Sequence, residues 1–241
     1  MECQFCKGEC QKAGRQKNGT QKYFCRRCKK YQQANYVYKA YRKTVNKSIC
    51  QLVCESVNIR GIARVLEISA GTVLSRIRQM GKRICKPAIV VNQPELEVDE
   101  LRTFIGRKGN EYWLAYALNK ENGQVVDFVL GRRSKRTLRM LTNTLLLSGV
   151  RTIRTDGLNI YRSLIPRNRH QYGAYCTNHI ERKNLTIRTH LKRLSRRTIC
   201  FSRSLSMLES CLRIYFWGSK SQDVAGQCLP ADRPATSAAF L

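Results

Sequence analysis

Glu95-Leu-Glu-Val-Asp-Glu-Leu101 is the stretch of the sequence that predicts how the larger part of this chain folds. Acidic and apolar residues alternate along it, which is typical of a β-strand with one buried face. The alternation places Asp99 on the face opposite Leu96 and Val98. Aromatic and β-branched residues continue the pattern, so we expect a strand over residues 95–104.

The segments that follow this strand predict a mixed α/β domain. Two further strands, a helix and a fourth strand are expected over residues 111–119, 124–130, 134–147 and 150–155. Asn122-Gly123 is a typical hairpin turn between the second and third strands, and Ser134 is placed to cap the helix. Three strands, a helix, a strand and then more helices indicate a central sheet, which we assign to residues 95–217.

Composition indicates the kind of partner. The chain has 241 residues and a formal net charge of +29, which favours a polyanion such as DNA. No apolar run approaches the roughly 18 residues that a membrane span needs, so we expect a soluble cytoplasmic protein, associated with the nucleoid, and no membrane partner. In a reducing cytosol the twelve cysteines point to metal ligation rather than to a disulfide framework.

The first 35 residues contain two paired-cysteine motifs. Cys3 and Cys6 form one CxxC pair, and Cys25 and Cys28 form another after 18 intervening residues. This spacing predicts a zinc ribbon over residues 1–35, in which four thiolates hold Zn²⁺. The segment has few aliphatic residues, so zinc would supply the folding energy that a core does not. Cys10 is a fifth cysteine that could replace one ligand.

Residues 44–86 predict a helical DNA-binding domain. Apolar residues recur at helical spacing on both sides of a short turn, and Ser69 is placed to cap the second helix, which is the layout of a helix-turn-helix. The side chains expected to face DNA on that second helix are Thr72, Ser75, Arg76, Arg78, Gln79 and Lys82. The alternative is a helical hairpin that binds nothing.

Two isolated acids suggest a catalytic metal site. Between Phe128 and Leu208 the chain has eighteen Lys and Arg but only two acids, Asp156 and Glu181. Asp156 ends an apolar strand, and strand ends are where α/β sheets collect their chemistry. With Asp99 these acids would offer the oxygen ligands that hard divalent ions prefer. Three other acids remain available, and acids often form ordinary surface pairs. These are Glu97, Glu100 and Asp127.

Several stretches together resemble a known family. They are Val98-Asp-Glu-Leu101, Tyr112-Trp-Leu-Ala-Tyr-Ala117, Thr155-Asp-Gly157, His179-Ile-Glu-Arg-Lys-Asn-Leu-Thr-Ile-Arg188 and Arg196-Arg-Thr-Ile-Cys-Phe-Ser-Arg203. In these stretches, and in the order of zinc ribbon, helix-turn-helix and acidic domain, the chain from about Cys3 to Trp217 resembles the transposases of the insertion-sequence-one family.

The resemblance implies an RNase H-like catalytic domain. It implies that Asp99, Asp156 and Glu181 are a catalytic triad that binds Mg²⁺ or Mn²⁺, and that Arg188 contacts the DNA end. His179 is interpreted as a packing or DNA-contacting residue rather than as a metal ligand. Past Trp217 the composition turns to Ser, Ala, Pro and Gly, so we expect a poorly ordered tail over residues 218–241. From Ser219 onward the sequence also matches the family's tail poorly, which would impair activity.

The leading hypothesis is therefore a DNA transposase that binds the terminal inverted repeats of an insertion sequence. It would cleave double-stranded DNA and transfer strands with metal ions, acting as a homodimer or higher oligomer on DNA. The main alternative is a transposase-derived regulator that binds DNA and has lost catalysis. An RNA-binding translation protein, or a recombinase that uses Tyr161 or Ser163 as its nucleophile, would also fit parts of the sequence.

Overall fold

The computed structural model describes residues 1–34, 38–42, 44–88, 95–173, 175–195, 200 and 202–218. The predicted tail over residues 218–241 lies outside them except for its first residue, and the motif over residues 196–203 lies mostly outside them. No helix in the described segments is long and apolar enough to cross a membrane.

The N-terminal segment is a small antiparallel sheet. Strands β1 (Cys10–Arg15), β2 (Gln21–Cys25) and β3 (Tyr31–Gln33) pair in the order β1-β2-β3. The buried centre of this unit consists of cysteine side chains with Tyr23 packed against them, and no aliphatic residue contributes. This confirms that hydrophobic burial alone does not hold the segment together.

Three helices follow the ribbon: α1 (Val45–Cys54), α2 (Ile59–Leu66) and α3 (Ala70–Arg83). Asn58 caps α2 because its side-chain oxygen accepts a hydrogen bond from the Gly61 amide at 2.7 Å. Ser69 caps α3 in the same way, accepting from the Thr72 amide at 3.0 Å. The predicted cap of the second helix is therefore confirmed.

The C-terminal half is built on a five-stranded mixed sheet. Its strands are β4 (Glu95–Ile105), β5 (Arg107–Asn119), β6 (Val125–Gly131), β7 (Thr152–Thr155) and β8 (His170–Tyr172). They lie in the order β6-β5-β4-β7-β8. Strand β5 is antiparallel to both β6 and β4, whereas β7 is parallel to both β4 and β8. All four predicted strands are present, although β5 begins at Arg107 rather than at residue 111. The edge strand β8 was not predicted.

Helices cover both faces of this sheet. They are α4 (Lys135–Leu147), α5 (Asn159–Arg162), α6 (Asn178–His190) and α7 (Leu205–Trp217). Leu96 and Val98 of β4 pack with α4 on one face, whereas Leu101 packs with α6 and α7 on the other. Ser134 caps α4 as predicted, accepting from the Thr137 amide at 3.3 Å. The mixed α/β architecture is thus confirmed.

Helix α7 belongs to two cores at once. Leu208 and Leu212 pack on the sheet, whereas Met207, Cys211 and Ile214 pack with α1, α2 and α3. The helical segment predicted over residues 44–86 therefore completes its hydrophobic core with a helix from the end of the chain. This shared helix ties the three N-terminal helices to the sheet.

Gly81 of α3 and Ser210 of α7 approach each other closely in this shared core. A methyl group at residue 81 would lie 2.5 Å from Ser210 Cβ and 2.6 Å from its Cα. The Gly81→Ala substitution should therefore lower the free energy of unfolding by about 1–3 kcal/mol, because neither helix backbone can retreat without opening the core. The midpoint of urea denaturation measures this effect.

Gly71 provides the matched control for this substitution. It lies in the same helix, and a methyl group placed at residue 71 would have Ser69 Oγ as its nearest neighbour, at 3.8 Å. Gly71→Ala should raise stability by roughly 0.5–1 kcal/mol through helix propensity. Equal midpoints for the two variants would show that α3 and α7 do not pack this closely.

Candidate functional site

Asp99 lies on β4, and Asp156 lies just beyond the end of the neighbouring parallel strand β7. The register of β4 and β7 pairs Leu96 with Ile153 and Glu97 with Arg154. Continuing this register by two residues sets Asp156 level with Asp99, and partners in adjacent strands point to the same face of a sheet. Asp156 directly follows β7 and is exposed to solvent. Its neighbour Gly157 has φ +86°, the conformation that lets the chain turn away from the acid.

Asp99 is half-buried in the face of the sheet that α6 covers. Its Oδ1 accepts from the Glu100 amide at 2.7 Å, and its Oδ2 accepts from Asn184 Nδ2 at 2.5 Å. This places it opposite Leu96 and Val98, as the alternation predicts. Burial raises the pKa of Asp99 to about 6, and the charges of Glu100 and Asp156 contribute to the rise. The two predicted acids are therefore close enough to repel each other.

Glu181 comes from the helix above this face. It lies one turn before Asn184 on α6, its side chain is exposed, and its Oε1 accepts from Thr177 Oγ1 at 3.0 Å. Within the described residues, the one group of three or more Cys, His, Asp or Glu ligand atoms lying within 4.8 Å of one another is the cysteine cluster of the ribbon. Asp99 and Asp156 thus belong to the sheet and Glu181 to the helix over it, but the carboxylate oxygens of the three acids do not all lie within 4.8 Å of one another.

Two buried residues that the sequence reasoning missed connect α6 to the sheet. Asn184 donates to Asp99, and it accepts a 2.7 Å hydrogen bond from the hydroxyl of Tyr116 on β5. Tyr116 is fully buried, and a buried tyrosine hydroxyl requires a polar partner. Both residues lie within stretches that carry the family resemblance, which is the signal that could have found them.

The three alternative acids are each engaged elsewhere. Asp127 forms an ion pair with Lys86 at 2.8 Å. Glu100 points to the opposite face from Asp99, where it binds Arg133 at 3.0 Å and the Tyr161 hydroxyl. Glu97 is almost completely buried and faces the first turn of α6. Each of the three alternative acids therefore has partners of its own in the folded chain.

The hydroxyl of Tyr161 is not accessible to act as a nucleophile. Its side chain is fully buried and its hydroxyl donates to Glu100. Burial, together with the charge of Glu100, raises the pKa of Tyr161 far above its ordinary value, so the phenolate is inaccessible. Of the two hydroxyls considered for a recombinase mechanism, this one has a structural role, linking α5 to β4.

Arg188 lies on the same side of α6 as Asn184, one turn further on. Burial and the charge of Asp99 raise the pKa of Tyr116, and the charge of Arg188 acts in the opposite direction. The charge of Arg188 is therefore close enough to influence Tyr116, which is hydrogen-bonded through Asn184 to Asp99. Residues 181 and 188 both lie within α6, which is what the prediction that they share one face of a helix requires.

The ribbon cysteines form a compact tetrad. The sulfur atoms of Cys3, Cys6, Cys25 and Cys28 all lie within 4.8 Å of one another, with Cys3 and Cys28 3.6 Å apart and Cys6 and Cys25 3.5 Å apart. Cys10 lies outside the group and accepts a 3.1 Å hydrogen bond from Gln32 Nε2. Four thiols in this arrangement fit tetrahedral zinc coordination, so the four predicted ligands are those brought together.

The predicted DNA-facing residues lie on the outer side of α3. Val73 and Ile77 are buried in the shared core. Three of the predicted residues are exposed, namely Ser75, Arg78 and Lys82. The other three are partly exposed, namely Thr72, Arg76 and Gln79. Thr72 is also held from the side, because its hydroxyl lies 3.0 Å from that of Tyr38.

Comparison with known proteins establishes the family. The sequence profile described as IS1 transposase matches residues 90–220, which is more than half of the chain. This chain belongs to the IS1 transposase family. The matched segment contains the whole five-stranded sheet, with Asp99 and Asp156, and the helix α6 that carries Glu181. The chain is accordingly an insertion-sequence transposase.

Relatives within this family match about half of this chain. Insertion element iso-IS1n protein InsB of Shigella dysenteriae is 39% identical over 116 residues, covering 48% of this chain and 88% of the relative. Insertion element IS1 protein InsB of Shigella flexneri is 34% identical, covering 49% and 91%. A solved simian T-cell lymphotropic virus intasome with PP2A regulatory subunit B56 gamma aligns at 14% identity, with a TM-score of 0.37, over 80% of this chain and 77% of that one. A similarity that low does not establish a shared fold.

Proposed function

We propose that this IS1-family transposase cleaves and rejoins DNA with a catalytic triad of Asp99, Asp156 and Glu181. The observation that carries the proposal is the level placement of Asp99 and Asp156 on parallel strands, beneath the helix that bears Glu181. The sheet order β6-β5-β4-β7-β8 supports the RNase H-like fold that the family resemblance implies. Asp156 and Glu181 stand in a strongly basic stretch, which suits a site that must hold DNA.

The donor chemistry fits hard divalent ions. Asp99, Asp156 and Glu181 would hold Mg²⁺ or Mn²⁺ through carboxylate oxygens. Burial, and then the charges of Glu100 and Asp156, raise the pKa of Asp99, and a bound cation would favour its charged form. When bound, two such ions activate the attacking oxygen and stabilise the leaving oxygen of an in-line displacement at phosphorus. Asp99 and Asp156 have fixed positions on the sheet, whereas Glu181 approaches from α6.

The reaction then needs no covalent protein intermediate. In the first step, a water oxygen attacks a phosphorus at the element end and the bond to the 3′ oxygen breaks, which frees a 3′-hydroxyl. In the second step, that hydroxyl attacks a phosphodiester of the target, and the target's own 3′ oxygen leaves. Arg188 is placed to contact the DNA end beside the acids. A homodimer or higher oligomer would bring the two element ends together.

The N-terminal modules would select the DNA. We infer that α2 and α3 form a helix-turn-helix whose second helix enters the major groove of the terminal inverted repeat. The ribbon, with Zn²⁺ on its four cysteines, would add phosphate contacts. Because α7 packs against α3, DNA held by α3 has a defined position relative to the sheet.

Arg78 is the exposed arginine on α3 best placed to test this assignment. Arg78→Ala should weaken binding to the element end by about 1–3 kcal/mol, because a charged contact to a base edge or phosphate is lost. Fluorescence anisotropy with a labelled terminal repeat measures the dissociation constant. Arg64→Ala is the control, since Arg64 is an exposed arginine on the neighbouring helix α2. Equal losses in both variants would argue against groove binding by α3.

The experiment that tests the whole proposal uses purified protein and a labelled element end, with and without magnesium. We expect nicks that require the metal and map to the junction between the element and its flanking DNA. Binding without any metal-dependent nick would instead support a DNA-binding regulator. That second candidate is favoured by one observation, that the three acids do not come within 4.8 Å of one another. The expected effect of the tail on activity stays a prediction, because residues 219–241 lie outside the described part of the chain.

A further inference from the structure

A buried glutamate holds the first turn of α6 against the sheet. Glu97 is only 1% exposed, and both of its carboxylate oxygens have partners on α6. Oε2 accepts from the Ile180 backbone amide at 2.7 Å, and Oε1 lies 2.8 Å from Nδ1 of His179. This contact lies close in sequence to two of the proposed metal ligands. Asp99 is two positions after Glu97 on β4, and Glu181 directly follows Ile180 on α6.

The anchor replaces an ordinary helix cap. Thr177 precedes α6, but its side chain makes no capping hydrogen bond to the helix and instead donates to Glu181. The free amides and the positive dipole at a helix start attract a carboxylate, and Glu97 supplies it from the sheet. A carboxylate buried this deeply is costly unless its oxygens are fully hydrogen-bonded, so the contact is specific.

We propose that Glu97 is a positioning residue that sets the height and rotation of α6, and so brings Glu181 into the site shared with Asp99. This inference rests on the proposed function. Asn184, one turn after Glu181, makes the second attachment of α6 to the sheet by donating to Asp99. With Glu97 at the first turn and Asn184 at the second, Glu181 is held between two fixed points.

The proposal predicts a change in metal requirement rather than in DNA binding. Glu97→Gln keeps the size of the side chain but replaces one accepting oxygen with an amide, and Glu97→Ala removes both contacts. We expect the Mg²⁺ concentration for half-maximal nicking of the element end to rise about tenfold in Glu97→Gln and up to about 100-fold in Glu97→Ala, the usual range for loss of outer contacts to metal ligands. The dissociation constant for DNA should stay within about twofold.

Glu95→Ala is the matched control. Glu95 lies on the same strand and bonds Lys120 at 3.2 Å and Arg154 at 2.9 Å, contacts that do not involve α6. This variant should show the metal requirement of the unmodified protein. If both Glu97 variants nick with the same metal requirement as Glu95→Ala, the positioning role is wrong. Should Glu97→Ala fail to fold, Glu97→Gln decides the matter alone. Absence of nicking by the unmodified protein would instead refute the proposed function.

Discussion

Replacement of Asp156 by Asn should reduce metal-dependent cleavage of the element end by about 10³-fold or more. Asn has nearly the size of Asp, and the side chain is exposed, so the fold should be unaffected. On the proposed function this change removes a charged metal ligand, worth several kcal/mol of transition-state stabilisation. Single-turnover nicking of a labelled end in Mg²⁺ measures the rate.

DNA affinity should not fall in the same variant. Removing a negative charge next to bound phosphates leaves binding unchanged or slightly stronger. Glu121→Gln is the control, because Glu121 is an exposed acid in the turn between β5 and β6 and is not one of the three proposed metal ligands. Cleavage at the unmodified rate by Asp156→Asn would rule out Asp156 as a metal ligand and, with it, the proposed triad.

Loss of zinc should unfold the ribbon. Residues 1–34 have a centre of cysteines and no aliphatic core, so metal coordination, worth about 10–16 kcal/mol in small zinc modules, would dominate their stability. We expect Cys25→Ser, or treatment with a chelator, to abolish hydrogen-exchange protection in β1, β2 and β3. The five-stranded sheet has its own hydrophobic clusters and should keep its protection.

Cys10→Ser is the control for the zinc prediction. Cys10 packs beside the tetrad but lies outside it, so this variant should keep its bound zinc and its ribbon protection. Zinc released on titration of the thiols measures occupancy. Retention of zinc by Cys25→Ser together with its loss from Cys10→Ser would show that the ligand set has been assigned wrongly.

Local chemistry explains which elements could be predicted. Ser69 and Ser134 cap α3 and α4 because a serine hydroxyl accepts from an amide three residues on, a contact that needs no distant partner. The alternation along β4 likewise separates Leu96 from Asp99 by strand geometry alone. The edge strand β8 escaped prediction because it has three residues and no apolar alternation.

The candidate site was predictable only in part. Asp156 and Glu181 could be recognised as isolated acids in a basic stretch, and the resemblance to a family assigned them a role together with Asp99. Their supporting residues could not be found from local pattern or charge, although Asn184 lies within a stretch that carries the resemblance. Asn184 is 85 positions from Asp99, and Ile180 is 83 positions from Glu97, so neither contact has a local sequence signal.

What the sequence by itself determined is the set of parts: a cysteine tetrad, two capped helices, an alternating strand and a basic chain with only two acids between Phe128 and Leu208. Spacing, capping and charge act over a few residues, and these properties follow from them. What only the tertiary structure decided is how the parts meet. Gly81 contacts Ser210, α7 completes two cores, and Glu97 caps a helix that begins at Asn178. The physical reason is that close packing and the burial of a charge depend on surfaces that only the folded chain brings together.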